Sequence, residues 1–166
     1  MAKGNIRVVD PAGTSLPVWT WQTEAAATDI KAGEPVKLKS AGSPYVIPFA
    51  DGDPVIGTTT QVIGIAKSDS THTATADGSI DVYMPLPGVV YGVKALTAAG
   101  VDTQSELNAL VGDRVVLDLT SSTYTIDAAA ADGATKGVQI VGGVVTNAVG
   151  EVYFTLRPGA TEGPIA

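Results

Sequence analysis

The chain has 166 residues, which is enough for one domain that folds around its own core without a metal ion or a crosslink. It contains no cysteine, which excludes disulfides, thiolate metal sites and cysteine nucleophiles. Its formal net charge of −7 argues against a nucleic-acid-binding surface, because such a surface needs a basic patch.

Charged residues make up only 16% of the chain. A soluble protein usually has about 25%, so part of the surface is either covered by partners or formed by the Ser and Thr side chains of a β sheet. No apolar run approaches the roughly 20 residues that span a membrane, and the start of the chain lacks the apolar region of a signal peptide. We therefore expect synthesis in a cytoplasm, no export and no membrane partner.

Residues 1–28 are predicted to form an extended N-terminal arm outside the main β pattern. The run from Leu16 to Gln22 places Trp19 and Trp21 on one side of an extended segment, because side chains alternate along a strand. The tryptophans either cap the core of their own domain or anchor the arm on a neighbouring subunit, since Trp is enriched at such anchors. The predicted partner-binding residues all lie in this arm: Trp19, Trp21, Val18, Leu16 and Arg7.

Residues 29–157 carry the pattern of a β domain. Many short strand-like runs, about 8–12 residues apart and separated by Gly, Pro and Asp, predict an all-β fold, a compact antiparallel β-barrel or β-sandwich. Lys37 and Lys39 alternate with apolar residues, which indicates the solvated face of an edge strand. Pro48 indicates another edge strand or a strand end. Gly142 and Gly143 indicate the turn of a hairpin.

One short helix is predicted after Thr103. Thr103 and Glu106 have the spacing of a capping box, Leu107 begins an apolar stripe, and Gly112 ends the helix. The last residues, 158–166, contain two prolines and two glycines and are predicted to form a flexible tail.

The chain offers little material for catalysis or for metal and phosphate binding. His72, the single histidine, lies in a polar tip that we expect to be an exposed loop, and Asp69 and Ser70 are too close to it in sequence to form a triad. Asp51 and Asp53, like the aspartates between 127 and 132, are typical of turns and lack the pattern of a calcium loop. No glycine-rich run has the Gly-Lys-Ser/Thr of a phosphate-binding loop. We predict no catalytic residue, no cofactor and no metal.

Four segments resemble the capsid decoration, or cement, proteins of tailed bacteriophages. They are Gly-Ile-Ala-Lys-Ser-Asp-Ser-Thr at 64–71, Ala-Asp-Gly-Ser-Ile-Asp-Val-Tyr at 76–83, Leu-Pro-Gly-Val-Val-Tyr at 86–91 and Thr-Gln-Ser-Glu-Leu-Asn-Ala-Leu-Val-Gly-Asp-Arg-Val at 103–115. The likeness extends over residues 30–156. It implies a compact β domain, usually a trimer, that sits on the outside of a capsid shell and has no catalytic residues.

From this resemblance we expect a non-enzymatic structural virion protein, made in the cytoplasm of a bacterial host. It would bind the major capsid protein on the outer capsid surface as a homotrimer and stabilise the lattice. The acidic charge fits the outer surface, because packaged DNA repels an acidic protein.

Three alternatives remain open. The first is another virion β module, such as a head fibre base or a tail component. The second is a carbohydrate-binding or adhesive β-sandwich, in which Trp19, Trp21 and Tyr45 would form a stacking platform. The third is an enzyme that depends on His72.

Overall fold

The computed structural model describes residues 5–10, 15–40, 42–55, 62–98, 100–121, 123–128, 130–147 and 149–157. The described chain is all-β with a single short helix, and its main antiparallel sheets pack as a sandwich, which confirms the predicted fold class. The elements are β1 (Arg7–Asp10), β2 (Val18–Thr23), β3 (Pro35–Leu38), β4 (Val46–Pro48), β5 (Val62–Ala66), β6 (Gly78–Tyr83), β7 (Val90–Lys94), α1 (Gln104–Ala109), β8 (Arg114–Val115), β9 (Leu117–Thr120), β10 (Thr123–Ile126), β11 (Val138–Asn147) and β12 (Val149–Leu156).

The two large sheets each have five strands. The first sheet has the order β1-β7-β12-β11-β8, and the second has the order β2-β6-β5-β3-β4. Strands β9 and β10 form a separate hairpin, which is joined to the end of β7 by a bridge between Ala95 and Ile126. The large core contains buried side chains from both sheets and the hairpin, among them Val93, Ile65 and Tyr124.

The second sheet curls on itself and encloses a smaller inner core. Its two edge strands, β2 and β4, meet at one bridge between Gln22 and Tyr45. Strand β5 consequently has apolar neighbours on both faces: Val62 and Ile65 belong to the large core, whereas Ile63 belongs to the inner core. The inner core consists of Ile30, Val36, Leu38, Val46, Ile63, Ala66, Ile80 and Val82.

In the described part of segment 1–28, β1 and β2 are extended strands that lie along the two sheets. β1 pairs with β7 and places Arg7 opposite Gly92, while β2 pairs with β6 over its whole length. Ile6 is buried in the large core. The two tryptophans lie on β2, which covers an edge of β6 that would otherwise be unpaired. They therefore lie within the β pattern and not outside it. Residues 1–4, 11–14 and 158–166, the last of which form the predicted tail, lie outside the described residues.

Strand β3 is an inner strand, which corrects the predicted solvated edge. It lies between β5 and β4, and Lys37 is buried and forms an ion pair with Asp53. Lys39 is exposed and pairs with Glu24. The lysine alternation was misleading because a carboxylate from the loop after β4 neutralises Lys37 inside the fold.

Gly142 and Gly143 do not form the predicted hairpin turn, because β11 runs through both of them. A Cβ atom on Gly143 would lie 2.4 Å from the carbonyl oxygen of Glu151 and 2.6 Å from Cδ2 of Leu107. The missing side chain lets α1 pack closely on β11. A small residue at a close contact therefore produced a sequence signal that resembles a turn.

The predicted helix is confirmed. Both hydrogen bonds of the capping box are present between Thr103 and Glu106, and Leu107 is buried. Gly112 follows the helix with a φ of 102°, a conformation that glycine adopts without steric cost.

Candidate partner-binding surface

Strand β2 leaves part of its backbone open at the edge of the second sheet. The N–H of Met84 donates to the carbonyl oxygen of Pro17, which marks these residues as a hydrogen-bonded pair of the ladder. Such pairs alternate along an antiparallel ladder, so the N–H and C=O groups of Val18 and Thr20 point away from β6. Among the described strands only β4 reaches this side, at Gln22. The edge is therefore open for backbone hydrogen bonds at Val18 and Thr20.

The side chains of β2 expose apolar surface at the same place. Val18 is 36% exposed and Trp19 is 43% exposed, and they lie on opposite faces of the strand. Trp21 shares a face with Trp19, but it is half-buried and packs against the inner core. Tyr45 is also half-buried, and its hydroxyl donates to Asp77 over 2.8 Å. Of the three aromatic residues of the expected stacking platform, only Trp19 is therefore exposed.

The corner after β6 extends this apolar surface. Leu86 is 40% exposed, and its N–H donates to the carbonyl oxygen of Met84, the residue that pairs with Pro17. We call Val18, Trp19, Thr20 and Leu86 together the β2 edge.

An open cleft of about 450 Å³ lies beside the β2 edge, at the seam between the two sheets. Two residues predicted to bind a partner, Arg7 and Leu16, both line it. Tyr83 connects the cleft to the edge, since it stands opposite Val18 on β2 and opposite Ile65 on β5. The lining residues are Ile6, Arg7, Val8, Ser15, Leu16, Ala32, Gly33, Ile65, Ala66, Lys67 and Tyr83.

Two cationic side chains stand at the cleft. The guanidinium of Arg7 donates to both carboxylate oxygens of Glu151, at 2.7 and 2.9 Å, and this hydrogen bonding raises the pKa of Arg7. Lys67 is exposed and makes no ion pair with any described carboxylate. Asp81, whose backbone bonds to that of Lys67, accepts instead from the hydroxyl of Thr20 at 2.7 Å. The cleft therefore has one compensated and one uncompensated cation.

The structure thus brings four of the five predicted residues to one region: Arg7 and Leu16 at the cleft, and Val18 and Trp19 at the β2 edge. Trp21 is the exception, because it faces the inner core. The sequence prediction missed Lys67, Tyr83 and Leu86. Their signal was present, since Tyr83 alternates with the buried residues of β6 and Leu86 is an apolar residue between two prolines in a turn.

The polar tip that contains His72 is exposed at Thr71 and at residues 73–77, as predicted, but the His72 side chain itself is buried. The His72 side chain is 3% exposed, and its Nε2 lies 2.9 Å from the carbonyl oxygen of Ala27. Asp69 and Ser70 accept hydrogen bonds from backbone N–H groups of the loop before β3. The three residues therefore do not form a nucleophile–base arrangement. The burial of the His72 side chain could not be predicted from the sequence, because its contacts with the 24–32 loop are long-range.

The aspartates near residue 51 form structural contacts. Asp51 accepts from the N–H of Leu119, and Asp53 pairs with Lys37. Within the described residues, no three His, Cys, Asp or Glu side chains are grouped to hold a metal ion. The described helix is too short to span a membrane.

Comparisons of this chain with protein-family models, curated proteins and solved structures find no match. The functional proposal below is therefore supported by the geometry of the β2 edge and the cleft, together with the sequence resemblance described above.

Proposed function

We propose that this chain is a non-enzymatic structural virion protein of a tailed bacteriophage. It binds the outer surface of the capsid and stabilises the lattice of the major capsid protein, as a homotrimer. The observation that carries the proposal is the β2 edge, where Val18 and Trp19 are exposed beside open backbone groups. An open strand edge offers main-chain hydrogen bonds to a partner, and an exposed tryptophan offers a contact anchor.

An exposed apolar strand edge is also an aggregation risk when no partner covers it. Uncovered edges tend to pair with other chains and lead to aggregation, and natural proteins usually protect them with charge, proline or a covering element. Val18, Trp19 and Thr20 carry no charge, so binding to a particle is the protection that we infer.

The charge of the chain supports the location outside the shell. With a net charge of −7, the protein is repelled by packaged DNA and is suited to the outer surface. Stabilisation follows from mass action: a protein that binds only the assembled, expanded lattice makes that state harder to leave.

Two measurements on the purified chain test the proposal. The first is the native mass, which should be about three times 16.8 kDa for a homotrimer. The second is co-sedimentation with expanded empty shells of the phage that encodes the chain, where binding should raise the temperature at which the shells dissociate. A monomer that stays in the supernatant and leaves the shells unchanged would refute the proposal.

Two further readouts separate the alternatives. An antibody against the chain that labels tails or fibre bases, and not the shell, would favour another virion module. Binding to a glycan array that disappears in Trp19→Ala would favour a carbohydrate-binding protein.

A further inference from the structure

We infer that the cleft beside the β2 edge receives an extended segment of the capsid partner, with an apolar side chain in the cleft and a carboxylate on Lys67. The inference rests on the proposed function, because it takes the major capsid protein lattice as the partner. It adds to that function the place of contact and the chemistry of the segment that binds there.

The cleft is large and firm enough to hold a side chain. Its volume of about 450 Å³ falls within the roughly 300–1,000 Å³ that is usual for binding pockets. Ile6, Ile65 and Ala66 form its floor and are 4%, 3% and 2% exposed, so the floor is part of the packed interior. A close-packed interior changes shape little, and the cleft therefore presents a preformed apolar surface.

The walls of the cleft have apolar surface that is incompletely covered. Leu16, Val8 and Tyr83 line it and are half-buried. An apolar side chain placed against them would gain about 25 cal/mol for each Å² removed from water. The most favourable occupant is therefore apolar at the centre of the cleft.

The charges select an anionic neighbour for that apolar group. The guanidinium of Arg7 already donates two hydrogen bonds to the carboxylate of Glu151, whereas Lys67 has no described carboxylate within 4 Å. A free cation at the rim of an apolar cleft favours a carboxylate, and complementary charge of this kind fixes the register of a partner.

The continuity of the cleft with the β2 edge indicates a chain segment and not a small molecule. Val18, Tyr83 and Ile65 stand opposite one another on three adjacent strands, so one row of side chains leads from the edge into the cleft. An occupant that covers both the exposed edge and the cleft has to extend across this row. A polypeptide segment with an apolar residue and a nearby Asp or Glu meets these requirements.

The test measures the affinity of variant trimers for expanded empty shells by co-sedimentation. Lys67→Gln removes the cation, and Ser15→Phe places a ring at the cleft. Lys94→Gln and Ser105→Phe are the matched controls, because Lys94 and Ser105 are exposed and lie outside the cleft lining. We expect about tenfold weaker binding for each cleft variant, no change for the controls, and a weaker dependence on salt for Lys67→Gln than for the wild type.

The outcomes are separable from those of the proposed function. If the wild type binds shells and both cleft variants bind equally well, the cleft assignment is overturned while the proposed function stands. If the wild type does not bind shells, both are overturned. Thermal unfolding of each variant identifies any loss of binding that follows from misfolding. Lys67→Arg keeps the charge that Lys67→Gln removes, and it should therefore bind shells as the wild type does. If dodecanoate binds the free protein through Lys67 while shell binding is unchanged, the site belongs to a free amphipathic anion and the inference is overturned.

Discussion

The Nζ atom of Lys37 lies 2.6 Å from Oδ2 of Asp53, and the two side chains are only 11% and 8% exposed. The same carboxylate accepts the N–H of Ala50 at 2.9 Å, and the carbonyl oxygen of Asp53 accepts the N–H of Leu117 at 2.8 Å. Through these bonds the ion pair ties β3 to the loop after β4 and ties that loop to β9. The second sheet and the β9–β10 hairpin are thus joined through the loop that carries Asp53.

We predict that Lys37→Met lowers the free energy of unfolding by about 3–5 kcal/mol, because the substitution leaves the carboxylate of Asp53 buried without its cation. Urea unfolding followed by circular dichroism measures the loss. Lys39→Met is the matched control just after the end of β3, since the exposed pair between Lys39 and Glu24 should contribute at most about 1 kcal/mol. Equal losses in the two variants would show that the buried pair contributes no more to stability than the exposed pair.

Gly143→Ala should destabilise the protein by about 1–3 kcal/mol, since the added methyl group would overlap a backbone oxygen and displace Leu107 of α1. Gly142→Ala provides the neighbouring control, because a Cβ atom there meets no atom within 4 Å. Thermal unfolding of the two variants should therefore separate clearly. A Gly143→Ala protein as stable as Gly142→Ala would contradict the close packing of α1 on β11.

Replacing Val18 and Trp19 together by serine should weaken binding to expanded shells by at least about tenfold, because the apolar contact at the β2 edge is lost. Thermal unfolding of the variant separates a loss of binding from a loss of stability, since each side chain is more than half covered in the free protein. Val141→Ser serves as the control, because Val141 is 40% exposed on β11, away from the β2 edge. Equal binding by all variants would place the contact on another surface.

Acid should destabilise the protein partly through Asp132. Its carboxylate accepts hydrogen bonds from the side chain and the backbone N–H of Arg114, and these bonds hold the pKa of Asp132 well below the ordinary value of 3.8. Because the folded-state pKa is lower than the unfolded one, the unfolded chain binds the proton first. The contribution is complete at neutral pH and declines as the pH falls below about 4 towards the folded pKa.

Asp132→Asn should accordingly reduce the loss of stability on going from pH 7 to pH 3, as measured by urea unfolding at each pH. Part of the loss should remain, because hydrogen bonds also lower the pKa of Asp69 and Asp77. Arg114→Gln should change the pH dependence in the same direction, since it removes the main cause of the shift. Superimposable pH profiles for the wild type and both variants would contradict this account.

Several local features could be predicted from the sequence because their causes are local. The capping box at Thr103 and Glu106 needs only residues three positions apart, and Pro48 ends β4 because it lacks an N–H. In β6, the buried Ile80 and Val82 alternate with half-buried residues, a period-two pattern that the sequence displays directly. Each of these signals arises from backbone geometry and adjacent residues, which the sequence displays directly.

Other features depended on contacts that no local pattern contains. Lys37 was expected in solvent and is buried, because its partner Asp53 comes from a different element. His72 was expected in an exposed loop and is covered by the 24–32 loop. Gly143 was taken for part of a turn, although its size accommodates a helix that packs on the strand.

The sequence by itself determined the all-β class and the single helix, since alternation, capping and composition act over a few residues. Only the tertiary structure decided that the second sheet curls around its own core, that β2 remains an open edge, and that Arg7, Leu16, Lys67 and Tyr83 meet in one cleft. These residues are up to 76 positions apart in the chain. Their proximity follows from strand pairing and from the burial of two cores, which are properties of the whole fold.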